Sequence, residues 1–303
     1  MSIRLPRFGL GAAPFGGAYR AVDQAEADGA VRAALELGMT LLDTSPHYGD
    51  TRSETVLGRA LAGIPRQDYL LATKVGRYGD AGWDFSAGRV RRSVQESLDR
   101  LGVDRLDLVQ CHDIDWGDEG QVRDEALPVL RELAAAGVVG AIGVTGYRLD
   151  VLERVALAEQ VDTVMAYCTY QLQDRRLAPV AARLSAAGIG VMNAAPLAMG
   201  ALTAAGPPAW HPAGAEILAA IGRAARVCAE TGVDIASVAL GFAGTAPAGI
   251  NCTVVGAESA ELVRRTVAAL RTVVDPGLPA AVEAELAPVL NRPWEFPVPA
   301  GAA

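Results

Sequence analysis

Short apolar runs alternate with longer amphipathic segments along almost the whole chain. Apolar residues in the longer segments recur at helical spacing, and several of these segments end in Gly, which readily forms a left-handed helix C-cap. This alternation is typical of βα units that build a parallel sheet. The predicted strands are FGLG at 8–11, TLLD at 40–43, LLAT at 70–73, LDLVQC at 106–111, GAIGV at 140–144, TVMAY at 163–167, IGVMN at 189–193 and CTVVG at 252–256.

Eight strands of this kind predict a (β/α)8 TIM barrel, in which roughly 250 residues form one domain. We therefore expect a single barrel over residues 1–303, with a Pro-rich tail at about 275–303 packing near the barrel mouth. A doubly wound open sheet is the alternative, because Gly9 and Gly11 begin like a dinucleotide-binding turn. Pro14 replaces the expected Gly or Ala of that turn, and no helix follows at once, which favours the barrel.

The amino-acid composition limits the kinds of molecule that this protein is expected to bind. The net charge is -8, which gives no basic stripe for nucleic acid and favours a small ligand. No uninterrupted apolar run reaches the roughly 20 residues of a membrane span, and the first residues do not resemble a secretion signal. We therefore expect a cytoplasmic protein without a membrane partner. The scattered cysteines and the only histidines, His47, His112 and His211, form no metal-binding pattern, so no metal is expected.

Polar residues with reactive side chains stand just after three of the predicted strands. Asp43 and Tyr48 lie in LLDTSPHYGD, Lys74 lies in YLLATKVG, and His112 lies in LDLVQCHD. In a parallel barrel, the loops at the carboxyl ends of the strands build the catalytic face. The four side chains are therefore predicted to meet in one active site.

Their chemistry fits proton transfer to or from a substrate oxygen. A phenol can act as general acid or base if its pKa approaches neutrality, and a neighbouring cation such as Lys74 is expected to lower the pKa of Tyr48. Asp43 is the expected counter-ion that makes a buried Lys74 tolerable. His112 can donate a hydrogen bond to the same substrate oxygen and orient it.

These motifs resemble those of the aldo-keto reductase superfamily, whose fold is an eight-stranded barrel with a tetrad of Asp, Tyr, Lys and His in that order. The matching segments are DTSPHYG, ATKVG and QCHD, and the resemblance runs from about residue 8 to about residue 270. Within the superfamily, GRYGDAGWDFSAGRVRRS, CHDIDWG, GVTGY, AYCTY, APLAMGALT and GPPAWHPA are similar to the L-galactose dehydrogenase group, which includes L-fucose and D-threo-aldose 1-dehydrogenases. The resemblance implies oxidation of the anomeric carbon of an aldose to a lactone by hydride transfer.

The resemblance also implies a nicotinamide cofactor extended over the barrel mouth. Thr145 and Gly146 stand where many members use Ser-Asn to hold the carboxamide, and Ala194 stands where many have a Tyr stacked on the ring. Both departures recur in the sugar dehydrogenase group. The other positions that the resemblance assigns to the cofactor are Gly11, Ala12, Asp43, Tyr167, Ala195, Pro196, Leu197, Met199, Gly200, Gly256, Ala257, Glu258, Ser259, Leu262, Arg265 and Thr266.

NAD is the expected cofactor and NADP the alternative. Relatives that use NADP carry a basic residue for the 2′-phosphate where this chain has Glu258 or Leu262, although Arg264 and Arg265 stand close by. For the sugar we expect contacts from Tyr48, His112, Asp113 and Trp116.

Other functions remain open at this point. A broad NADPH-dependent carbonyl reductase and a pyridoxal 4-dehydrogenase share much of the pattern, and a catalytically silent barrel could bind nucleotide as a sensor or channel subunit. The intact tetrad disfavours the silent barrel. The sequence leaves the identity of the sugar and the choice between monomer and dimer undecided.

Overall fold

Eight parallel strands close into a barrel in chain order in a computed structural model that describes residues 3–79, 82–272 and 277–296. Each strand pairs with the next, and the last pairs with the first. The strands are β1 Phe8–Gly11, β2 Leu41–Asp43, β3 Leu70–Val75, β4 Leu106–Cys111, β5 Val139–Gly146, β6 Thr163–Tyr167, β7 Gly190–Ala194 and β8 Cys252–Gly256. The predicted barrel is confirmed, and the doubly wound sheet is wrong.

The helices follow the strands and surround them. Their bounds are α1 Gln24–Glu36, α2 Arg52–Ala60, α3 Ala87–Leu101, α4 Glu119–Gln121, α5 Leu127–Ala135, α6 Leu149–Glu159, α7 Leu177–Ala186, α8 Ala215–Glu230, α9 Ile235–Gly244, α10 Ala260–Arg271 and α11 Gly277–Leu286. A capping box starts α1: the Asp23 side chain accepts the Glu26 N–H, and the Glu26 side chain accepts the Asp23 N–H. Gly102 ends α3 in the left-handed conformation, with φ of 68°.

The segment before α5 departs from regular α-helical hydrogen bonding. A π-helical turn, Val122–Ala126, precedes α5 and includes a hydrogen bond from the Leu127 N–H to the Val122 carbonyl. Pro128 has no N–H to donate to the preceding turn, so the usual helical ladder is interrupted there. The turn leads into α5 without changing the order of the barrel.

Alternation along the strands decides which side chains enter the barrel. Leu41, Ala72 and Leu108 belong to one buried apolar cluster that draws on strands all around the barrel, as expected for its interior. Side chains two positions further along a strand share the same face. Asp43 and Lys74 therefore point inward as well, one layer closer to the carboxyl ends of the strands.

The described part of the tail lies over the loops that follow β5 and β6. The Trp294 N–H donates to Tyr147 Oη at 2.6 Å, and the Trp294 indole N–H donates to Gln173 Oε1 at 3.1 Å. This segment therefore packs at the end of the barrel where the predicted site residues lie. Residues 275–276 and 297–303 of the predicted tail lie outside the described residues.

Among the described residues, no helix is by itself long and apolar enough to cross a membrane. Only α8 and α9 together reach the required length and composition, and they are bent by 102° at the break between them.

Candidate active site

The structure brings the four predicted catalytic side chains together at the carboxyl ends of β2, β3 and β4. Lys74 Nζ donates to both carboxylate oxygens of Asp43, at 2.8 and 2.7 Å, and to the carbonyl of Thr44 at 2.9 Å. Gln110, on β4, places its amide nitrogen 3.4 Å from Asp43 Oδ1. Only 1% of the Lys74 side chain is exposed, so this cation depends on its partners rather than on water.

Tyr48 reaches this pair from the turn after β2. Lys74 Nζ lies 4.8 Å from the centre of the Tyr48 ring. The backbone of Gly16 packs so closely against this turn that a Cβ at Gly16 would lie 2.7 Å from the Tyr48 carbonyl, and Gly49 adopts a φ of 63°. Glycine at both positions therefore permits the approach that holds Tyr48 against the barrel mouth.

The pKa of Tyr48 corrects one expectation from the sequence. Burial raises the pKa of Tyr48 above 10.0, and the opposing effect of Lys74 does not overcome it. The sequence predicted a lowered pKa because it placed the cation nearby but gave no measure of the desolvation. Burial also raises the pKa of Asp43, against the effect of Lys74. For Lys74, burial lowers the pKa, but Asp43 and Tyr48 outweigh it, so Lys74 stays cationic.

His112 lies edge-on to Tyr48, with the ring centres 5.5 Å apart. Burial, followed by the nearby Lys74 and Arg77 cations, places the pKa of His112 well below 6.5, so the ring is neutral at physiological pH. Its Nδ1 lies 3.0 Å from Ser45 Oγ, which also accepts the His47 N–H. A hydroxyl hydrogen donated by Ser45 to Nδ1 leaves the proton on Nε2, where it can be given to a substrate oxygen.

Asp113 follows His112 in a left-handed conformation, with φ of 52°, which is uncommon for a residue with a side chain. Its backbone N–H donates to Thr145 Oγ1 at 3.0 Å. Its carboxylate forms an ion pair with Arg77, whose guanidinium lies 5.0 Å over the Trp83 ring. The sequence prediction included Asp113 but missed Arg77, although Arg77 follows Lys74 by three positions, in the loop after the same strand.

The structure explains why position 146 is a glycine. A Cβ built on Gly146 would lie 2.3 Å from Asp115 Oδ1, so the carboxylate occupies the space of a side chain at this position. The other oxygen of Asp115 accepts the N–H groups of Tyr147 and Arg148, while Oδ1 is buried without a partner among the described residues. Burial, followed by Asp113, raises the pKa of Asp115 to about 6. Sequence reasoning missed Asp115.

Trp116, a predicted substrate contact, belongs to an aromatic group under the tail. Its ring centre lies 5.9 Å from that of Phe296. It also lines a cavity of about 590 Å³ together with Tyr147 and Trp294. A role for Trp116 in sugar binding stays a prediction.

The loops after β7 and β8, together with α10, contain most of the predicted cofactor positions. After β7, Ala195, Ala198 and Met199 all have φ of 50–53°, a strained conformation that is concentrated at functional loops. After β8, the Ser259 side chain caps the N-terminus of the 12-residue helix α10. Free N–H groups at such a helix start suit a phosphate. The two loops therefore fit an extended dinucleotide.

Charges at the second of these loops are partly neutralised. Glu258 accepts a hydrogen bond from Arg20 Nε at 3.2 Å, and Arg20 also pairs with Glu26. Arg265 is 65% exposed and lies 3.8 Å from Asp234. The two carboxylates around Arg20 leave a net charge of about -1 beside the predicted adenosine position.

The closed parallel barrel, with a buried cation beside a tyrosine and a neutral histidine at its mouth, places the protein in the class of barrel oxidoreductases. The model of the Aldo/keto reductase family matches residues 7–283, and the chain belongs to this family. It is therefore an oxidoreductase, and dehydrogenases of this family use nicotinamide cofactors.

Several characterised proteins are similar to the chain over much of its length. L-galactose dehydrogenase of Arabidopsis thaliana is 41% identical over 302 residues, covering 96% of this chain and 94% of that protein. D-arabinose 1-dehydrogenase of Saccharomyces cerevisiae is 34% identical over 76% of this chain and 72% of its own length. Among solved structures, the holo form of the aldo-keto reductase AKR11C1 from Bacillus halodurans gives a TM-score of 0.75 at 24% identity, covering 95% of this chain and 94% of that one. This structural similarity supports the fold alone.

Proposed function

We propose that this protein is an aldose 1-dehydrogenase that oxidises the anomeric carbon of a sugar to a lactone and reduces NAD. The arrangement of Asp43, Lys74, Tyr48 and His112 at the barrel mouth is the observation that carries the proposal. The similarity to the plant L-galactose dehydrogenase and the yeast D-arabinose 1-dehydrogenase supports an aldose as the substrate.

In the proposed reaction, Tyr48 acts as the base. Its phenolate takes the proton of the hydroxyl on C1, the C1–O bond gains double-bond character, and a hydride leaves C1. The nicotinamide ring, when bound, supplies the acceptor for that hydride. Lys74 stabilises the phenolate, and His112 donates a hydrogen bond from its Nε2–H to the same oxygen of the sugar and holds that oxygen in place. Tyr48 then returns its proton to water.

The geometry supports these roles in two ways. Asp43 keeps Lys74 charged in a site where an unpaired ammonium would be costly. The pKa of His112 is held well below 6.5 by burial, so the ring is a poor base and can orient the substrate oxygen through its N–H without competing with Tyr48 for the proton. The residues that would hold the nicotinamide end are Thr145, Tyr167 and Ala195, while Gly256–Thr266 would hold the adenosine half.

The preference for NAD over NADP rests on the charge near Glu258. A carboxylate repels an added 2′-phosphate, and the net charge around Arg20 remains negative because Glu26 and Glu258 share one guanidinium. Repulsion of about 1 kcal/mol corresponds to roughly fivefold in affinity. We expect Glu258→Arg to move the ratio of kcat/KM for the two cofactors toward NADP. An equal or higher kcat/KM for NADP in the unaltered enzyme would contradict this part of the proposal.

The experiment that tests the function follows cofactor reduction with a panel of substrates. The panel contains L-galactose, L-fucose, D-arabinose, their C2 epimers and pyridoxal, each with NAD and with NADP, and the reverse reaction is run with simple aldehydes and NADPH. Turnover of at least one aldose with NAD, and formation of a lactone, is the expected result. Turnover of pyridoxal alone, or of aldehydes with NADPH alone, would replace the proposal with one of those activities. No cofactor turnover with any substrate would overturn it.

A further inference from the structure

A second charged pair lies beside the predicted proton-transfer groups and has no part in the tetrad. Asp113 Oδ2 lies 3.7 Å from His112 Nε2 and forms an ion pair with Arg77. The His112–Asp113 contact is not an ion pair, because His112 is neutral, and it is too long for a hydrogen bond. Asp113 and His112 thus stand side by side, with their polar atoms 3.7 Å apart.

The exposure and the free donors of the Arg77–Asp113 pair are those expected of a pair that binds a ligand rather than of one that only stabilises the fold. The Asp113 side chain is 3% exposed, whereas 30% of the Arg77 side chain is exposed. Among the residues the structure describes, Nη1 is the one guanidinium nitrogen of Arg77 that hydrogen-bonds a protein group. Its Nε and Nη2 remain available as donors.

A pair elsewhere in the molecule shows what a structural ion pair of the same kind looks like. Asp174 and Arg176 have side-chain exposures of 0% and 29%, close to those of Asp113 and Arg77. The Asp174 carboxylate accepts the Arg176 backbone N–H, its Nε and its Nη2, all from a residue two positions away. That pair fixes a local turn, and Arg176 Nη2 also donates to Tyr147 Oη at 3.0 Å.

The Arg77–Asp113 pair differs in how it is held. It joins two loops 36 positions apart in the chain. Asp113 is held there by its left-handed backbone and by the bond from its N–H to Thr145. Trp83 supports the guanidinium from one face. The backbone thus directs a carboxylate toward the reacting position at some conformational cost.

We propose that Arg77 and Asp113 bind the hydroxyl on the carbon next to the reacting carbon, and so select 2-hydroxy aldoses. This inference rests on the proposed function. When His112 holds the oxygen on C1, the oxygen on C2 falls within reach of the neighbouring carboxylate, because the two protein groups are 3.7 Å apart. Asp113 accepts a hydrogen bond from the C2 hydroxyl, and Arg77 donates hydrogen bonds to the oxygens on C2 and C3.

The test compares a sugar with its analogue that lacks the C2 hydroxyl. L-galactose and 2-deoxy-L-galactose are oxidised with NAD by the unaltered enzyme, by Asp113→Asn and by Arg77→Met. The unaltered enzyme is expected to favour L-galactose by about 100-fold or more in kcat/KM, since a site built for a hydroxyl rejects the analogue without it. The preference is expected to fall to about tenfold or less in both variants.

Asp174→Asn serves as the matched control, because it disrupts a pair of equal burial. Its ratio between the two sugars should stay at the unaltered value. Arg77→Lys keeps the charge but loses the planar fork, so its ratio should fall between those of the unaltered enzyme and Arg77→Met. Circular dichroism and NAD affinity show whether Asp113→Asn accumulates as a folded protein. If it does not, Arg77→Lys takes its place in the test.

The outcomes separate this inference from the proposed function. If the unaltered enzyme oxidises both sugars equally well, or if Asp113→Asn slows both equally, Arg77 and Asp113 do not select the C2 hydroxyl, while the dehydrogenase proposal stands. If no aldose is oxidised at all, both proposals are wrong.

Discussion

β3 lies between two ion pairs, one packed against each of its faces, and only the inward pair belongs to the proposed active site. Thr73 points outward, where its hydroxyl donates to Glu54 on α2 at 2.5 Å, and Glu54 also pairs with Arg100 on α3 at 2.7 Å. Lys74, the next residue, points into the barrel and pairs with Asp43. Successive residues of a strand face opposite sides, so one strand supports both pairs.

The difference lies in the neighbours of each pair. The Glu54 carboxylate is surrounded by helices α2 and α3, and its two oxygens bond to Arg100 and Thr73. The Lys74 ammonium lies 4.8 Å from the centre of the Tyr48 ring, and the neutral imidazole of His112 lies beside that ring. Burial alone therefore does not identify a charged residue as functional. A functional charge is identified by a neighbouring group that can exchange a proton.

Replacing Lys74 with Met gives the largest expected effect on activity among the changes to the two pairs. The variant loses the cation that stabilises the Tyr48 phenolate and leaves Asp43 without its partner. Turnover should fall by about 10²–10⁴-fold, the range typical of general acid–base groups. Single-turnover reduction of NAD at saturating sugar measures this loss. Less than a tenfold loss would show that the inward pair does not tune the tyrosine.

Replacing Glu54 with Gln should affect stability rather than chemistry. Breaking a buried pair leaves an uncompensated charge, which costs about 3–5 kcal/mol, and the partial exposure of Arg100 places the expected loss near 3 kcal/mol. Urea unfolding measures this difference. Well below the melting temperature, kcat should stay within about twofold of the unaltered enzyme. A large loss of kcat with unchanged stability would remove the distinction between the two faces.

The pH dependence of oxidation gives a smaller effect that sharpens the same distinction. The proposed base is the Tyr48 phenolate, and burial raises the pKa of Tyr48 above 10.0, so the active form becomes more abundant as pH rises. Because the pKa of His112 lies well below 6.5, no loss from its titration is expected above neutrality. The hydride-transfer rate, isolated with sugar deuterated at C1, should increase from about pH 6 to about pH 9. A flat profile would exclude Tyr48 as the base.

Much of the barrel and of the candidate site could be predicted from the sequence, because both depend on the order of short segments along the chain. The apolar runs locate the strands to within one or two residues, and a barrel brings their carboxyl ends together whatever the intervening helices contain. Asp43, Tyr48, Lys74 and His112 are therefore predictable as a group. The one error about this group concerns the pKa of Tyr48, because desolvation depends on packing from the whole barrel mouth.

The residues that sequence reasoning missed are those whose role depends on a partner distant in the chain. The role of Arg77 depends on its ion pair with Asp113. The position of the Asp115 carboxylate depends on the space that Gly146 leaves by having no side chain. Ser45 is recognisable only once His112 lies 3.0 Å from its hydroxyl. The spacing CHDIDW shows that two carboxylates follow the histidine, but it does not show that one faces Arg77 and the other the backbone of Tyr147.

The central claim is that Tyr48 transfers the proton while the rest of the site binds and orients. Tyr48→Phe removes the hydroxyl and keeps the ring against Lys74 and His112. We measure two quantities on this variant: the Kd for NAD by fluorescence titration, and the rate of hydride transfer in a single turnover with the preferred sugar. The account predicts an NAD affinity within about threefold of the unaltered enzyme and a transfer rate lower by about 10²–10⁴-fold. A variant that keeps more than a tenth of the rate would contradict the account.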